Sequence, residues 1–289
     1  MNVKNVLLFY KKSAYRVYFL EERSTFNPKN RPIAQKELDR FKKAHREHYA
    51  TLKHVGDVLA RYGIGYTKVF RGQIVDYDSY DLVITIGGDG TFLEAARNVS
   101  RSPLLGVNSS VSHSVGNFCI ANIHNFESIF QRILKKNFRM KVFHRLHLDV
   151  DRHRNEIDCL NDILVCHGNP AAMSRYLMTI GKVTEEHRSS GVWIATPCGS
   201  SGGVLSAGGK KIVHTAKKLQ YMPRELYWGI GWKYRLTGGV LPARQKIIMT
   251  SLMRDGRIYV DGTHIDIPFP FGVTAHITLS PKPIKTIDI

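Results

Sequence analysis

The chain of 289 residues is short of several things. No apolar stretch approaches the roughly 20 residues that a membrane-spanning helix needs. The N-terminus lacks the basic, apolar and small-residue succession of a secretory signal. Instead Val3–Tyr10 reads as a strand that starts almost at once. The four cysteines, Cys119, Cys159, Cys166 and Cys198, form no CxxC pair and no zinc-ligand spacing, which favours a reducing compartment and idle thiols. The thirteen histidines form no HExxH-like pattern, and no protein-bound metal is expected from this inventory. Low-complexity tracts and internal repeats are absent. Acidic residues are scarce: 24 Asp and Glu face 42 Lys and Arg, a formal charge of +18.

What is present is ordinary for a folded chain: 43% apolar and 23% charged residues. A chain of this length buries a large core and fits one large or two modest domains. The positive excess is spread over both halves. It attracts polyanions without naming them; nucleic acid and small phosphorylated substrates both fit. Along Lys36–Lys53 the basic residues alternate with Leu38, Phe41, His45, His48 and Leu52 at helical spacing, so they read as a solvated helix face that Gly63 stops.

The first half alternates strands and helices: strand Val3–Tyr10, a helix over roughly Ala34–Arg61, strands Tyr66–Phe70 and Leu82–Ile86, a helix near Phe92–Val99, strand Leu104–Val107, and a helix to about Lys136 with Asn125 as its cap. This grammar predicts a doubly wound α/β sheet with a ligand crevice at the C-terminal strand ends. Past Met140 the spacing turns to period two. Strands are expected at Leu146–Val150, with His144 and His147 on opposite faces, and at Leu160–Val165, Arg175–Ile180, Val192–Ala195, Lys246–Met253, Arg257–Val260 and Thr274–Leu279. Asp255-Gly256 reads as a tight hairpin turn between two of them. The expected architecture is an α/β domain over 1–140 followed by a mainly antiparallel β domain over 141–289, closely packed.

Three segments carry chemistry. Gly87-Gly88-Asp89-Gly90-Thr91 follows a buried strand and opens a helix. Its glycines admit close backbone approach, and its N–H groups with the helix dipole form an anion nest. A carboxylate there is wrong for simple phosphate binding. It makes sense if Asp89 holds a cation or takes a proton from a hydroxyl; the plainer reading is a tight turn with Asp89 capping the helix. The second segment, Ser189 to Gly203, runs a strand into the turn Thr196-Pro197-Cys198-Gly199-Ser200-Ser201-Gly202, followed by Ser206-Ala207-Gly208-Gly209. Its small residues leave room for a ring and its hydroxyls offer donors to ribose or phosphate. The third, Asn161-Asp162 ahead of Ile163–Val165, is alone no more than a turn signal.

In this order, with Gly106–Asn108, Gly116-Asn117-Phe118 and Asp261-Gly262 between and after them, these motifs resemble the NAD kinase family over most of the chain. GGDGT alone is shared with lipid kinases; the later TPxGS and SAGG pair narrows the reading. Leu219–Glu225 and Arg188–Gly191 look most like the plant-type NADH kinase branch. The resemblance implies ATP-dependent phosphorylation of the adenosine-ribose 2′-hydroxyl of NAD or NADH, with Mg²⁺ arriving on ATP, in a cytoplasmic homo-oligomer (dimer or tetramer) with no nucleic-acid or membrane partner. It places the site between the domains. Asp89 matches the catalytic aspartate, and Gly87, Gly88, Gly90 and Thr91 the phosphate turn. Asn161 and Asp162 match the pair that holds the dinucleotide. Asn108, Phe118, Thr196, Gly199, Ser200, Ser201, Gly202 and Ser206 fall at the remaining nucleotide-binding positions.

Departures from the family pattern are also legible. Ser190 stands where most members have Asp, and Gly203 where an aromatic is usual, which predicts a roomier, less charged pocket wall. The stretch from Asn108 to Gly116 is longer than the common pattern. The competing readings are a lipid or other small-hydroxyl kinase using the same turn, and a non-catalytic NAD-binding or nucleic-acid-binding protein. The first would want an amphipathic membrane-binding helix, which the sequence does not show; the second would gain little from Asp89.

Overall fold

The computed structural model describes residues 2–21, 33–151, 153, 156–263 and 265–289. It divides into two compact units: Met1–Lys141 together with Lys285–Ile289, and Val142–Ile284. In chain order the first contains β1 (Asn5–Tyr10), a π-helical turn at Arg16–Leu20, α1 (Gln35–Arg61), β2 (Gly65–Phe70), β3 (Leu82–Gly87), α2 (Asp89–Asn98), β4 (Leu104–Asn108), β5 (Cys119–Asn122), α3 (Phe126–Leu134) and β6 (Arg139–Phe143). The second contains β7 (Leu146–Val150), β8 (Ile157–Cys159), β9 (Asp162–His167), β10 (Ser174–Ile180), β11 (Val183–Ser189), β12 (Val192–Ala195), α4 (Gly203–Ser206), β13 (Lys218–Pro223), β14 (Gly239–Pro242), β15 (Ile247–Ser251), β16 (Gly256–Val260), β17 (Ile265–Pro268) and β18 (Thr274–Leu279). Then β19 (Ile284–Asp288) returns to the first sheet.

The first sheet has the order β2-β1-β3-β4-β19-β6, with β5 also on β4. β1, β2, β3, β4, β5 and β19 pair in parallel. The winding reverses between β1 and β3, so the C-terminal ends of these two strands form the switch point where open α/β sheets take their ligands. All six residues of β3 are buried, as expected of a strand covered on both faces. α1 buries Leu52, Val55, Val58 and Leu59 against that sheet and leaves its basic face wet. It stops as expected: Gly63 takes φ +68, with Gly63 N–H on the Ala60 carbonyl and Ile64 N–H on that of Leu59.

The second unit is built on two six-stranded antiparallel sheets, β11-β10-β15-β18-β7-β8 and β14-β13-β12-β9-β16-β17. One cluster of fully buried side chains, including Tyr176, Ile194, Met249, Ile258 and Ile277, draws from both. Its strands alternate buried and exposed positions, which is why period two marked them in the sequence.

The structure corrects four expectations. α2 starts at Asp89 rather than near Phe92. Asn125 occupies the N-cap of α3 but gives the helix no side-chain bond; its amide oxygen accepts from Asn122 N–H and its amide nitrogen donates to the Ile120 carbonyl, fixing the preceding turn. Asp255-Gly256 is not a hairpin: β15 lies in one sheet and β16 in the other, so the turn carries the chain across the sandwich. His144 lies between β6 and β7, outside any strand. No helix among the described residues is long and apolar enough to cross a membrane.

The second division also ends earlier than 289. Ile287 is 1% exposed within the first unit's core, and Thr286 pairs with Leu104, its hydroxyl donating to the Leu104 carbonyl. Ile287→Ala is therefore expected to cost about 2–5 kcal/mol of unfolding free energy, as a deleted core side chain does. Urea denaturation of the whole chain measures it, and a loss under about 1 kcal/mol would show that β19 is only an attached edge.

Candidate functional site

At the end of β3 the chain turns through Gly88, the N-cap of α2, and enters the helix at Asp89. The N–H groups of Asp89 and Gly90 lie in the first helical turn, where no intrahelical carbonyl is available to them. They form the positive end of the helix dipole, an arrangement suited to phosphate oxygens. A side chain at Gly87 would run into both Oγ1 and Cβ of Thr91, so that position is restricted to glycine by crowding, whereas one at Gly88 would meet only the Ser114 hydroxyl, which can rotate away. Thr91 accordingly sits beneath the turn, 1% exposed, with Oγ1 making no hydrogen bond. Gly90 is exposed.

Asp89 is half-buried, and its carboxylate is not a helix cap. Oδ1 accepts the Phe118 N–H at 3.0 Å and Oδ2 the Asn117 side-chain amide at 3.2 Å. Two donors from the connection between β4 and β5 thus aim the acid, leaving lone pairs on both oxygens. Phe118 is held in turn by stacking on Phe92, with centroids 5.2 Å apart and planes at 10°. Asn108 is buried: its amide nitrogen donates to the Ser114 carbonyl and its oxygen accepts from Ser110 N–H. It therefore fixes the long connection from Asn108 to Gly116. Arg71, which the sequence did not single out, pairs with Glu94 at 2.7 Å, and its guanidinium lies 3.5 Å from where a Cβ on Gly90 would stand.

In the second unit a second group converges. Asp261, at φ +49, accepts the N–H groups of Leu160, Asn161 and Asp162 at 3.4, 2.8 and 3.3 Å. The Asn161 amide donates to Asp162 Oδ2 at 2.9 Å. Asp162 is 5% exposed, and burial together with the Asp261 charge pushes its carboxyl up to about 7. The Thr196 hydroxyl donates to the Leu160 carbonyl, and Thr196 N–H to that of Asn161. The Ser200 hydroxyl bonds the Pro197 carbonyl and accepts Ile212 N–H. Thr196 and Ser200 are fully occupied in shaping the loop, and Gly199 N–H leans on Thr196 Oγ1 at 3.3 Å. Ser201 and Ser206 are exposed, and Gly202 opens α4 3.5 Å (by its Cβ direction) from Asp162 Oδ2.

The expectation of a roomier wall at Gly203 fails. A Cβ there would stand 2.7 Å from the indole of Trp193 on β12. The aromatic surface is supplied by the strand, not by α4, and the sequence carried a signal for it: a Trp three residues before TPxGS beside a missing aromatic after it. Among the described residues no group of three or more His, Cys, Asp and Glu side chains is placed to hold a metal ion.

The carboxyl of Asp162 titrates high in the folded protein and near 4 when unfolded, so folding binds a proton between these values and unfolding free energy falls as pH rises through that window. Asp162→Asn removes the buried charge. Its stability relative to the unsubstituted protein is expected to be greater at pH 8 than at pH 5, read as melting temperature. Parallel curves would show that Asp162 is not held protonated.

Comparison with known proteins bears on the family and the fold. A protein-family profile described as ATP-NAD kinase N-terminal domain matches residues 9–138. A probable NADH kinase of Oryza sativa subsp. japonica is 32% identical over 265 residues, covering 84% of this chain and 82% of its own. An NAD kinase of Aquifex aeolicus is 31% identical over 195 residues, 63% of this chain and 69% of its own. Among solved structures, an NAD kinase from Archaeoglobus fulgidus in complex with ATP superposes with TM-score 0.70 at 20% identity, covering 98% of this chain and 92% of its own. Yeast NADH kinase complexed with NADH superposes with TM-score 0.72 at 15% identity, covering 100% and 84%. The fold is theirs, and by the extent of its likeness to the rice protein this chain belongs to the NAD kinase family.

Proposed function

We propose that this chain transfers the γ-phosphoryl group of ATP to the 2′-hydroxyl of the adenosine ribose of NAD(H), giving NADP(H), with Asp89 as general base. The observation that carries the assignment of the base is the carboxylate at the first position of α2, aimed by Phe118 N–H and Asn117 beside the free N–H groups of the phosphate turn.

Phosphoryl transfer needs an aligned acceptor, neutralised phosphate charge and a place for one proton. The turn at Gly87–Gly90 and the helix dipole offer the charge complement. Asp89 accepts the proton as the ribose oxygen bonds to phosphorus and ADP leaves with the broken P–O bond's electrons. Asn161 and Asp162, held rigid by Asp261, offer the ribose and amide-bearing parts of the dinucleotide a fixed pair of polar groups. Ser201, Gly202 and Ser206 line the nucleoside side, with Trp193 behind Gly203. Mg²⁺ enters as the ATP complex, because the phosphates bring most of its oxygen ligands with them.

Asp89→Asn keeps an oxygen for the Phe118 N–H and removes the base. Turnover is expected to fall by about 10²–10⁴. Melting temperature should fall only slightly, by the one Asn117 bond that is lost, and dinucleotide affinity should be equal or better, since a negative charge leaves the phosphate site. A folded variant with near-normal turnover would overturn the assignment.

Ser190 ends up between backbone bonds to Arg224, its N–H donating to the Arg224 carbonyl, and carries no negative charge into the approach to Gly191. Activity on NADH at least comparable to NAD is the expected result. Ser190→Asp should shift preference towards the cationic oxidised ring by about fivefold, the scale of a partly screened charge pair. Paired measurements of kcat/KM for the two dinucleotides check this, and an unchanged ratio would refute it.

A further inference from the structure

We propose that Glu47, on α1, is a positioning residue for Asp89: it holds the tip of the loop whose far end aims the base. The role rests on Asp89 being that base. Residues 109–116 run from β4 to Asn117 and Phe118, the two donors on the Asp89 carboxylate. Packing fixes little of this loop. Its two valines, Val111 and Val115, are 58% and 84% exposed. Against it lies a cavity of about 460 Å³, walled by Ala50 and Thr51 of α1, by Ile123 and by the start of the loop itself. A segment with so few apolar contacts keeps its place through polar bonds.

Glu47 supplies the bonds at the tip. The Ser110 hydroxyl donates to Oε2 at 2.6 Å, and the Ser112 hydroxyl lies 3.0 and 2.9 Å from Oε1 and Oε2. His113 Nδ1 completes the group, 2.7 Å from Ser112 Oγ, 3.1 Å from Ser110 Oγ and 3.7 Å from Oε2. Hydrogen bonds to a charged acceptor are roughly twice as strong as neutral ones. Burial works to raise the Glu47 carboxyl, but the two hydroxyls and the His113 and Lys43 charges outweigh it and hold the group below the usual glutamate range. The acceptor therefore stays charged at neutral pH.

From this grip the path to Asp89 is continuous. The Ser110 carbonyl accepts the N–H groups of His113 and Ser114 at 3.1 and 3.0 Å, closing a tight turn. Asn108 Nδ2 donates to the Ser114 carbonyl at 2.9 Å. A Cβ on Gly116 would stand 2.7 Å from that same nitrogen, so Gly116 is packed on Asn108. The next two residues are Asn117 and Phe118. Among the described residues no hydrogen bond or ion pair joins Glu47 to residues 87–91, so its influence on the base passes through the loop. A carboxylate aimed by two donors on a free-swinging loop would lose its alignment with the acceptor hydroxyl, which is where the rate is spent.

The test is steady-state turnover of the whole protein with ATP and NADH. Glu47→Ala is expected to lower kcat by about 10- to 100-fold, the scale of a misplacement near 1 Å, with KM for ATP held within about twofold. Glu47→Gln should lose less, because its amide oxygen still accepts from one hydroxyl. Ser110→Ala combined with Ser112→Ala removes the grip from the other side and should reproduce the Glu47→Ala loss, which keeps the test alive if Glu47→Ala fails to fold. Asp57→Asn takes the same charge from an exposed turn of α1 and should leave kcat unchanged. The decisive comparison adds Glu47→Ala to Asp89→Asn: an aiming residue has nothing left to aim, so no further loss is expected. A full additional loss in that double variant would show that Glu47 acts elsewhere and overturn the proposal. So would near-normal kcat in folded Glu47→Ala while Asp89→Asn is crippled. Near-normal turnover in Asp89→Asn itself would instead remove the base assignment, and the role of Glu47 with it.

Discussion

The junction of β3 and α2 has no room for a side chain at Gly87, and the geometry around Asp89 depends on that crowding. Because Thr91 and Ser114 press on the turn, the backbone itself becomes its surface, and the first N–H groups of α2 stay available. The same closeness brings Asn117 and Phe118 within bonding distance of Asp89. The fully buried β3 gives the turn a rigid base, and Phe92 anchors the Phe118 ring whose N–H bonds Asp89. Precision at Asp89 is thus a packing property before it is an electrostatic one.

The second unit achieves its rigidity by another route. There the organising group is a charge: the Asp261 carboxylate gathers three consecutive N–H groups and fixes the backbone that presents Asn161 and Asp162. With one carboxylate satisfied by amides, its neighbour Asp162 is the one driven towards protonation. Burial first and the Asp261 charge second raise the Asp162 carboxyl, so the two neighbouring acids hold unequal affinities for a proton.

Much of this was legible in the sequence, and the limits are physical. β3 and α1 could be read because burial leaves a periodic record, and GGDGT because so few residue types tolerate that turn. Asp255-Gly256 misled, since a dipeptide reports local turn preference but not whether its flanking strands choose the same sheet. The role of Asn125 was misread for a similar reason: its side chain found partners in the preceding turn. β19 was missed because five residues carry too little pattern to show that they pair with a strand some 180 positions earlier. Gly203 looked like a loss of aromatic surface until Trp193 was seen to occupy the adjoining space.

The return of β19 has a consequence for how the protein comes into being. Thr286 pairs with Leu104, and the whole second unit is synthesised between them. On the ribosome the first unit's earlier strands emerge long before the strand that fits between β4 and β6. Until then β4, paired with β3 along its length and with β5 from Gly106 to Asn108, still lacks its partner at Leu104, and the sheet cannot extend to β6. The second unit has no such wait, since all of its strands precede Lys285. The later-made unit can therefore complete its sheets while the first still awaits β19. A contact spanning so much sequence also closes slowly, because the loop entropy is spent before the pairing returns it.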